Sequence, residues 1–238
     1  MGNTDIKGII FDYGGTIDSR GVHWSEVIWD GYRASAVDVD KDTFREAYVY
    51  AERELAKVRH IMPEDDFHVL LLKKMRIELG WLAEHGKIRP SDTERLAGEI
   101  ALYCYERARE CVEEARPVLD SLKEHGIPMV LVSNFYGNVQ AVLADFDLLR
   151  YFDSIVESAV VGVRKPDPQI FRLGVEALRL APEQVLVVGD SYKKDILPAQ
   201  SIGCHVAWLK GKGWTAEEDA VTHPCIIGNL KQAAEAAF

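Results

Sequence analysis

From about residue 115 onward, short wholly apolar runs alternate with stretches of helical periodicity. Residues 128–132 (PMVLV), 152–156, 184–188, 205–209 and 225–227 read as strands. Residues 137–146, 167–180, 193–202 and 229–237 read as helices. Within 167–180, Phe171, Gly174, Val175 and Leu178 recur at i, i+3, i+4 and i+7, one face of a helix, and Pro168 suits its first turn. Strands that are apolar throughout, alternating with helices, imply a parallel sheet covered on both faces. One more strand is expected early, at residues 7–11. Between it and the others, residues 20–113 show four helical patterns (24–34, 41–58, 65–84 and 91–113) and no convincing strand. Ser91-Asp-Thr-Glu94 has the form of a capping box after Pro90, and Asp40 or Asp42 suits the cap of the second helix. The economical organisation is an α/β core, residues 1–19 and 114–238, with a helical domain, residues 20–113, inserted after the first strand. No internal repeat or low-complexity segment stands out.

Composition narrows the function. The 238 residues are 47% hydrophobic and 28% charged, ordinary for a folded chain, and carry a formal net charge of −10. That balance argues against nucleic acid, whose phosphates need a basic stripe, and against anionic membrane surfaces. No apolar run reaches the length of a membrane span. The N-terminus, MGNTDIKGII, has neither a secretory pattern nor the Ser or Thr of a myristoylation signal. Cys104, Cys111, Cys204 and Cys225 show no CxxC pair and no zinc spacing. They read as free thiols in a reducing cytoplasm, the expected location. A small anionic substrate stays compatible with the acidic chain, because a local cluster of Lys, backbone N–H groups and a metal overrides the global field.

Four stretches follow predicted strands and so fall at the carboxyl edge of the sheet, where open α/β sheets bind ligands. In FDYGGTID (11–18), Asp12 sits at a strand end before two glycines, which suits a nucleophile or a metal ligand with close backbone approach. Ser133-Asn134 can hold a phosphoryl oxygen through the hydroxyl and following N–H groups. Lys165, in GVRKPDP, can neutralise a phosphate and a carboxylate nucleophile together. Asp190 and Asp195, five apart across a strand-to-helix turn in GDSYKKD, suit a hard cation such as Mg²⁺. Each stretch alone is an ordinary cap or turn; their order and shared position carry the signal.

Together the four motifs resemble those of the haloacid dehalogenase-like hydrolase superfamily: FDYGGTID its first, LVSNF its second, VGVRKPDPQIF its third and VVGDSYKKD its fourth. The resemblance covers the α/β part, and implies a Rossmann-like core with a C1-type helical cap for the insert. It further implies Asp12 as nucleophile, Ser133 and Lys165 on the phosphoryl group, Asp190 as Mg²⁺ ligand, and Asp195 as a further ligand or a support of the metal site. The backbone carbonyl of Gly14 would be another Mg²⁺ ligand. The expected activity is Mg²⁺-dependent hydrolysis of a small phosphorylated metabolite through an aspartyl-phosphate.

One departure qualifies this. The family's phosphatases carry a second Asp where this chain has Gly14, and use it as general acid and base. Losing such a group typically costs about 10²–10⁴-fold in rate, least for leaving groups that need no proton. Three readings follow. Proton transfer comes from elsewhere, such as Asp18, His23 or the substrate itself, although Asp18 reads as a solvent-facing or capping residue and His23 as an ordinary surface or interface histidine. Or the reaction is phosphonatase-like or dehalogenase-like. Asp190 argues against dehalogenation, and the cap lysines a phosphonatase would need (Lys41, Lys57, Lys73, Lys74) read as a solvated helix face. Or the chain is a weakly catalytic, phosphate-binding regulator. Trp24 and Trp29 read as cap core. Arg20, His23, Asn134 and Tyr136 are the sequence-adjacent candidates for substrate contact.

Overall fold

The computed structural model describes residues 6–235. Six strands, β1 (Gly8–Phe11), β2 (Met129–Ser133), β3 (Ser154–Glu157), β4 (Val185–Gly189), β5 (His205–Leu209) and β6 (Ile226–Ile227), form one sheet. Their order is β3-β2-β1-β4-β5-β6, and every pairing is parallel. The α/β class read from the apolar runs is therefore observed. The chain builds outward from β1 to β3, then crosses back to place β4 on the other side of β1. The strand order thus reverses beside β1, the crevice in which parallel sheets hold ligands.

Side chains leave a strand on alternate faces, and β1 shows it. Ile9 and Phe11 join one buried cluster and Ile10 the other. On the Ile10 face, α7 (Gln169–Leu178) lies so close that a Cβ on Gly174 would meet Ile10 and Val132 at 2.8 Å. Hence the glycine in that helix marks close packing against the sheet.

Four helices lie between β1 and β2: α1 (Trp24–Ala34), α2 (Lys41–Lys57), α3 (Phe67–Glu84) and α4 (Thr93–Glu124). Asp40 caps α2 by accepting from Thr43 N–H, as its position suggested, and Asp66 does the same for α3 through Val69 N–H. The capping box expected at Ser91–Glu94 does not form. Residues Pro90–Asp92 make a 3₁₀ turn, and the Asp92 carboxylate turns to Arg89 and Arg95 instead. The last helix also runs further than its pattern indicated. It is one continuous 32-residue element that carries Pro117 inside it and crosses the proposed 113/114 boundary without a break. Its first half packs against α1 and α3, and Val112, Leu119 and Leu122 join the same cluster as Phe11 and Leu131 of the sheet.

The remaining helices are short: α5 (Val139–Asp145), α6 (Ser158–Val161), α8 (Leu197–Ser201), α9 (Ala216–Ala220) and α10 (Leu230–Glu235). The helix expected over 193–202 is two pieces. A π-helical turn, Tyr192–Ile196, precedes α8, with both Asp195 N–H and Ile196 N–H donating to the Ser191 carbonyl. Such turns widen the helix by one residue and often sit at functional sites; this one carries Asp195. Among the described residues no helix is long and apolar enough to cross a membrane.

Candidate active site

The ends of β1, β2 and β4 deliver Asp12, Ser133 and Asp190 to one place. Asp12 N–H still donates to the Val188 carbonyl (2.9 Å), which ties the start of the first motif to β4. Beyond β3, the loop bearing Lys165 is held from β2. Asn134 accepts from Lys165 N–H (2.9 Å) and donates to the Lys165 carbonyl (3.0 Å). Both polar ends of the Asn134 side chain are therefore committed to positioning the lysine. The buried Lys165 ammonium bridges Asp12 Oδ1 and Asp195 Oδ1, at 2.6 Å each. Thr16 Oγ1 donates to Asp12 Oδ2 (3.0 Å) and reaches Asp190 Oδ1 at 3.3 Å. Ser191 N–H donates to Asp195 Oδ2 (2.9 Å).

Asp12, Asp190 and Asp195 each offer an oxygen, and these lie within 4.8 Å of one another. Burial pushes the Asp190 carboxyl well above the usual carboxylate range, and Asp12 and Asp195 add to the rise. Burial also raises Asp195, against the opposing pull of Lys165. For Lys165 burial favours the neutral amine, but the two carboxylates more than offset it and hold the proton firmly. One ammonium among three carboxylates, Asp12 and Asp195 buried and Asp190 half-buried, leaves negative charge in excess once all three are ionised. An all-oxygen donor set with that excess fits a hard divalent cation such as Mg²⁺.

Two glycines make this approach possible. Gly15 has φ +98°, and a Cβ there would lie 2.4 Å from the Asp190 carboxylate; a Cβ on Gly189 would meet Asp195 at the same distance. Gly14 is different, since a Cβ there would find nothing closer than Trp24 Nε1 at 3.9 Å and Asp18 Oδ2 at 4.0 Å.

A model of the haloacid dehalogenase-like hydrolases matches residues 6–203. The chain belongs to this family. Within the haloacid dehalogenase-like hydrolases it is 29% identical over 141 residues to a phosphoserine phosphatase of Thermus thermophilus, covering 53% of this chain and 56% of that one. It is 32% identical over 131 residues to haloacid dehalogenase-like hydrolase domain-containing protein 3 of Xenopus laevis, covering 50% and 54%. The chain thus spans about half the length of the curated relatives it matches. A crystal structure of a dehalogenase with an intermediate complex superposes with a TM-score of 0.63 over 96% of each chain at 18% identity, a likeness of fold.

The carboxylate cluster opens into a cavity of about 290 Å³ roofed by α1, α2 and α3. Asp12, Gly14, His23, Ser133, Asn134, Tyr136, Lys165, Asp190 and Asp195, all anticipated from sequence, line it. Arg20 does not. Its backbone is left-handed (φ 56°) and its guanidinium pairs with Glu114 of α4 at 2.5 Å. Of the two readings, surface or interface, His23 takes the second: it is half-buried, its backbone N–H donates to the Lys212 carbonyl, and its ring meets Trp214 and Tyr48. Its Nδ1 accepts from Ser25 N–H (3.2 Å) and caps α1, while burial, with Lys194 nearby, pushes its imidazole down to about 4. It is therefore neutral at pH 7. Tyr136 donates to Glu52 of α2, linking the second-motif loop to the roof.

Three residues of the cavity wall do more than the sequence indicates. Lys74, read as part of a solvated helix face, is buried, paired with Glu52 and set over the Tyr48 ring. Its position, between Leu71, Met75 and Leu82 on the apolar stripe of α3, was the available signal. Trp24, read as cap core, does pack against the core cluster and the Phe67 ring, and it also presents its indole N–H to Asp18 at 3.1 Å. Asp18, read as solvent-facing or capping, is only 1% exposed and lines the cavity.

Proposed function

We propose that this haloacid dehalogenase-like hydrolase is a Mg²⁺-dependent phosphatase of small phosphorylated metabolites, working through an aspartyl-phosphate on Asp12. The observation that carries the reading is the Asp12 carboxylate itself: it directly follows β1, lines the cavity, and has Lys165 Nζ at 2.6 Å. Asp12, Asp190 and the Gly14 carbonyl would hold the cation, with Asp195 supporting through Lys165. When bound, Mg²⁺ neutralises charge on the transferring phosphoryl group. Phosphoryl transfer is catalysed mostly by positioning and charge neutralisation, and this chain's residues supply both. Lys165 offsets charge on the nucleophile and the phosphoryl oxygens; the Ser133 hydroxyl and the N–H groups after it orient one of those oxygens. The roof formed by α1–α3 excludes water while the P–O bond breaks. The phosphatase-named relative from Thermus thermophilus supports the reaction class.

A phosphonatase-like route through Lys74 is less well supported. A Schiff base needs a neutral amine. Burial favours that form, but Glu52, Tyr48 and Tyr136 more than offset it and keep Lys74 an ammonium. The reading is tested by a screen of aryl, acyl and alkyl phosphates with Mg²⁺. Turnover that disappears on chelation, returns with Mg²⁺, and is abolished in Asp12→Asn is the expected result. Phosphate binding without turnover of any ester would favour the regulatory reading.

A further inference from the structure

Without an acid at position 14, some other group must protonate the departing alkoxide and later take a proton from water. Several titratable groups line the cavity. His23 is neutral, with Nδ1 engaged at the α1 cap. Glu52 is held ionised, Lys74 outweighing its burial. Lys165 is shared between two carboxylates.

Asp18 differs from all of these. Its Oδ1 accepts Gly15 N–H at 2.7 Å, so the carboxyl is fastened to the turn that carries Gly14. The Trp24 indole N–H lies 3.1 Å from both oxygens. Oδ2 therefore has only a shared donor, and it is the oxygen 4.0 Å from where a side chain at residue 14 would begin. No cation pairs with Asp18 among the described residues. Burial pushes its carboxyl up to about 8, Gly15 N–H pulls it down, and the charge of Asp12 adds to the rise.

From this geometry we propose that Asp18, reaching the space beside Gly14 from four residues downstream, is the proton donor and acceptor of the reaction. The proposal rests on the phosphatase reading. In the first step an Asp12 oxygen bonds to phosphorus, the P–O bond to the alcohol breaks, and the Asp18 Oδ2 proton passes to the leaving oxygen. In the second, Asp18 carboxylate takes a proton from the attacking water. The new P–O bond forms, the Asp12–phosphorus bond breaks, and orthophosphate leaves with Asp12 and Asp18 restored. Trp24 is a positioning residue that fixes the carboxyl.

The test compares wild type, Asp18→Asn and Gly14→Asp/Asp18→Asn on a 4-nitrophenyl ester and an alkyl ester such as glycerol phosphate. Asn keeps the Oδ1 acceptor, and Gly14 has room for a Cβ. In Asp18→Asn, kcat on the alkyl ester is expected to fall about 10²–10⁴-fold, with phosphorylation of the enzyme by the aryl ester nearly unchanged in a burst measurement. The double variant should regain much of the alkyl activity. Equal losses on both esters in the burst, or no loss on the alkyl ester, would overturn the role of Asp18 alone. No turnover of any ester by wild type would overturn the phosphatase reading, and Asp18's role with it.

Discussion

At the scale of single residues, the adjacent glycines of the first motif answer to different physics. Gly15 has a backbone conformation that L side chains rarely adopt, and any Cβ would strike Asp190. Gly14 has neither constraint. Gly15→Ala is expected to cost about 1–3 kcal/mol of stability from backbone strain and to displace Asp190, lowering Mg²⁺ affinity. Gly14→Ala should stay within about 0.5 kcal/mol of wild type. Urea unfolding, with and without Mg²⁺, measures both; equal destabilisation by the two would contradict the difference drawn here. This contrast is only half legible in sequence. Two glycines after a strand-end Asp signal close backbone approach, but what approaches Gly15 is Asp190, 175 positions away. The burial of Asp18 is hidden in the sequence for a related reason. A lone Asp after a turn has every mark of a solvated residue until Trp24 and the roof helices close over it.

At the scale of elements, α3 packs Lys74 and Glu78 on a stripe otherwise built of Phe67, Leu and Met side chains. Glu78 is fully buried, accepts from Tyr32 Oη at 3.2 Å through Oε2, and leaves Oε1 without a partner. Burial pushes its carboxyl up from 4.5 to about 8. The folded chain therefore keeps a proton that the unfolded chain releases above pH 4.5. The stability linked to this proton is complete below pH 4.5 and is lost as the pH rises toward 8. Glu78→Gln removes the titration. It should stabilise the protein at pH 7 on the order of 1–3 kcal/mol and change little at pH 4.5, as thermal melts across that range would record. A variant less stable than wild type at pH 7 would contradict it. The helical periodicity located α3 well, but not which face was buried, because Lys74 and Glu78 make the apolar stripe look polar. The extra length of α4 was hidden too: Pro117 normally weakens a helix interior, and here packing on both halves carries the helix through it.

At the scale of the whole molecule, the α/β class and the convergence of four motifs were readable because parallel strands are apolar throughout and loops at one sheet edge must meet. The continuation of α4 past residue 113 was not, since composition does not change there. One buried cluster runs from Phe44 and Leu79 of the insert to Phe11 and Leu131 of the sheet. Such continuity predicts that insert and sheet unfold together. Far-UV circular dichroism and tryptophan fluorescence should give coincident urea transitions; two separated transitions would contradict a shared core.

The phosphatase proposal turns on the attack of Asp12 on phosphorus. Acid quenching during turnover of an activated ester with Mg²⁺, followed by peptide mass spectrometry, tests it most directly. One phosphoryl group on the peptide containing Asp12, and none in Asp12→Asn, is the expected result. Undiminished turnover by Asp12→Asn, or a phosphoryl group trapped on another residue, would contradict it.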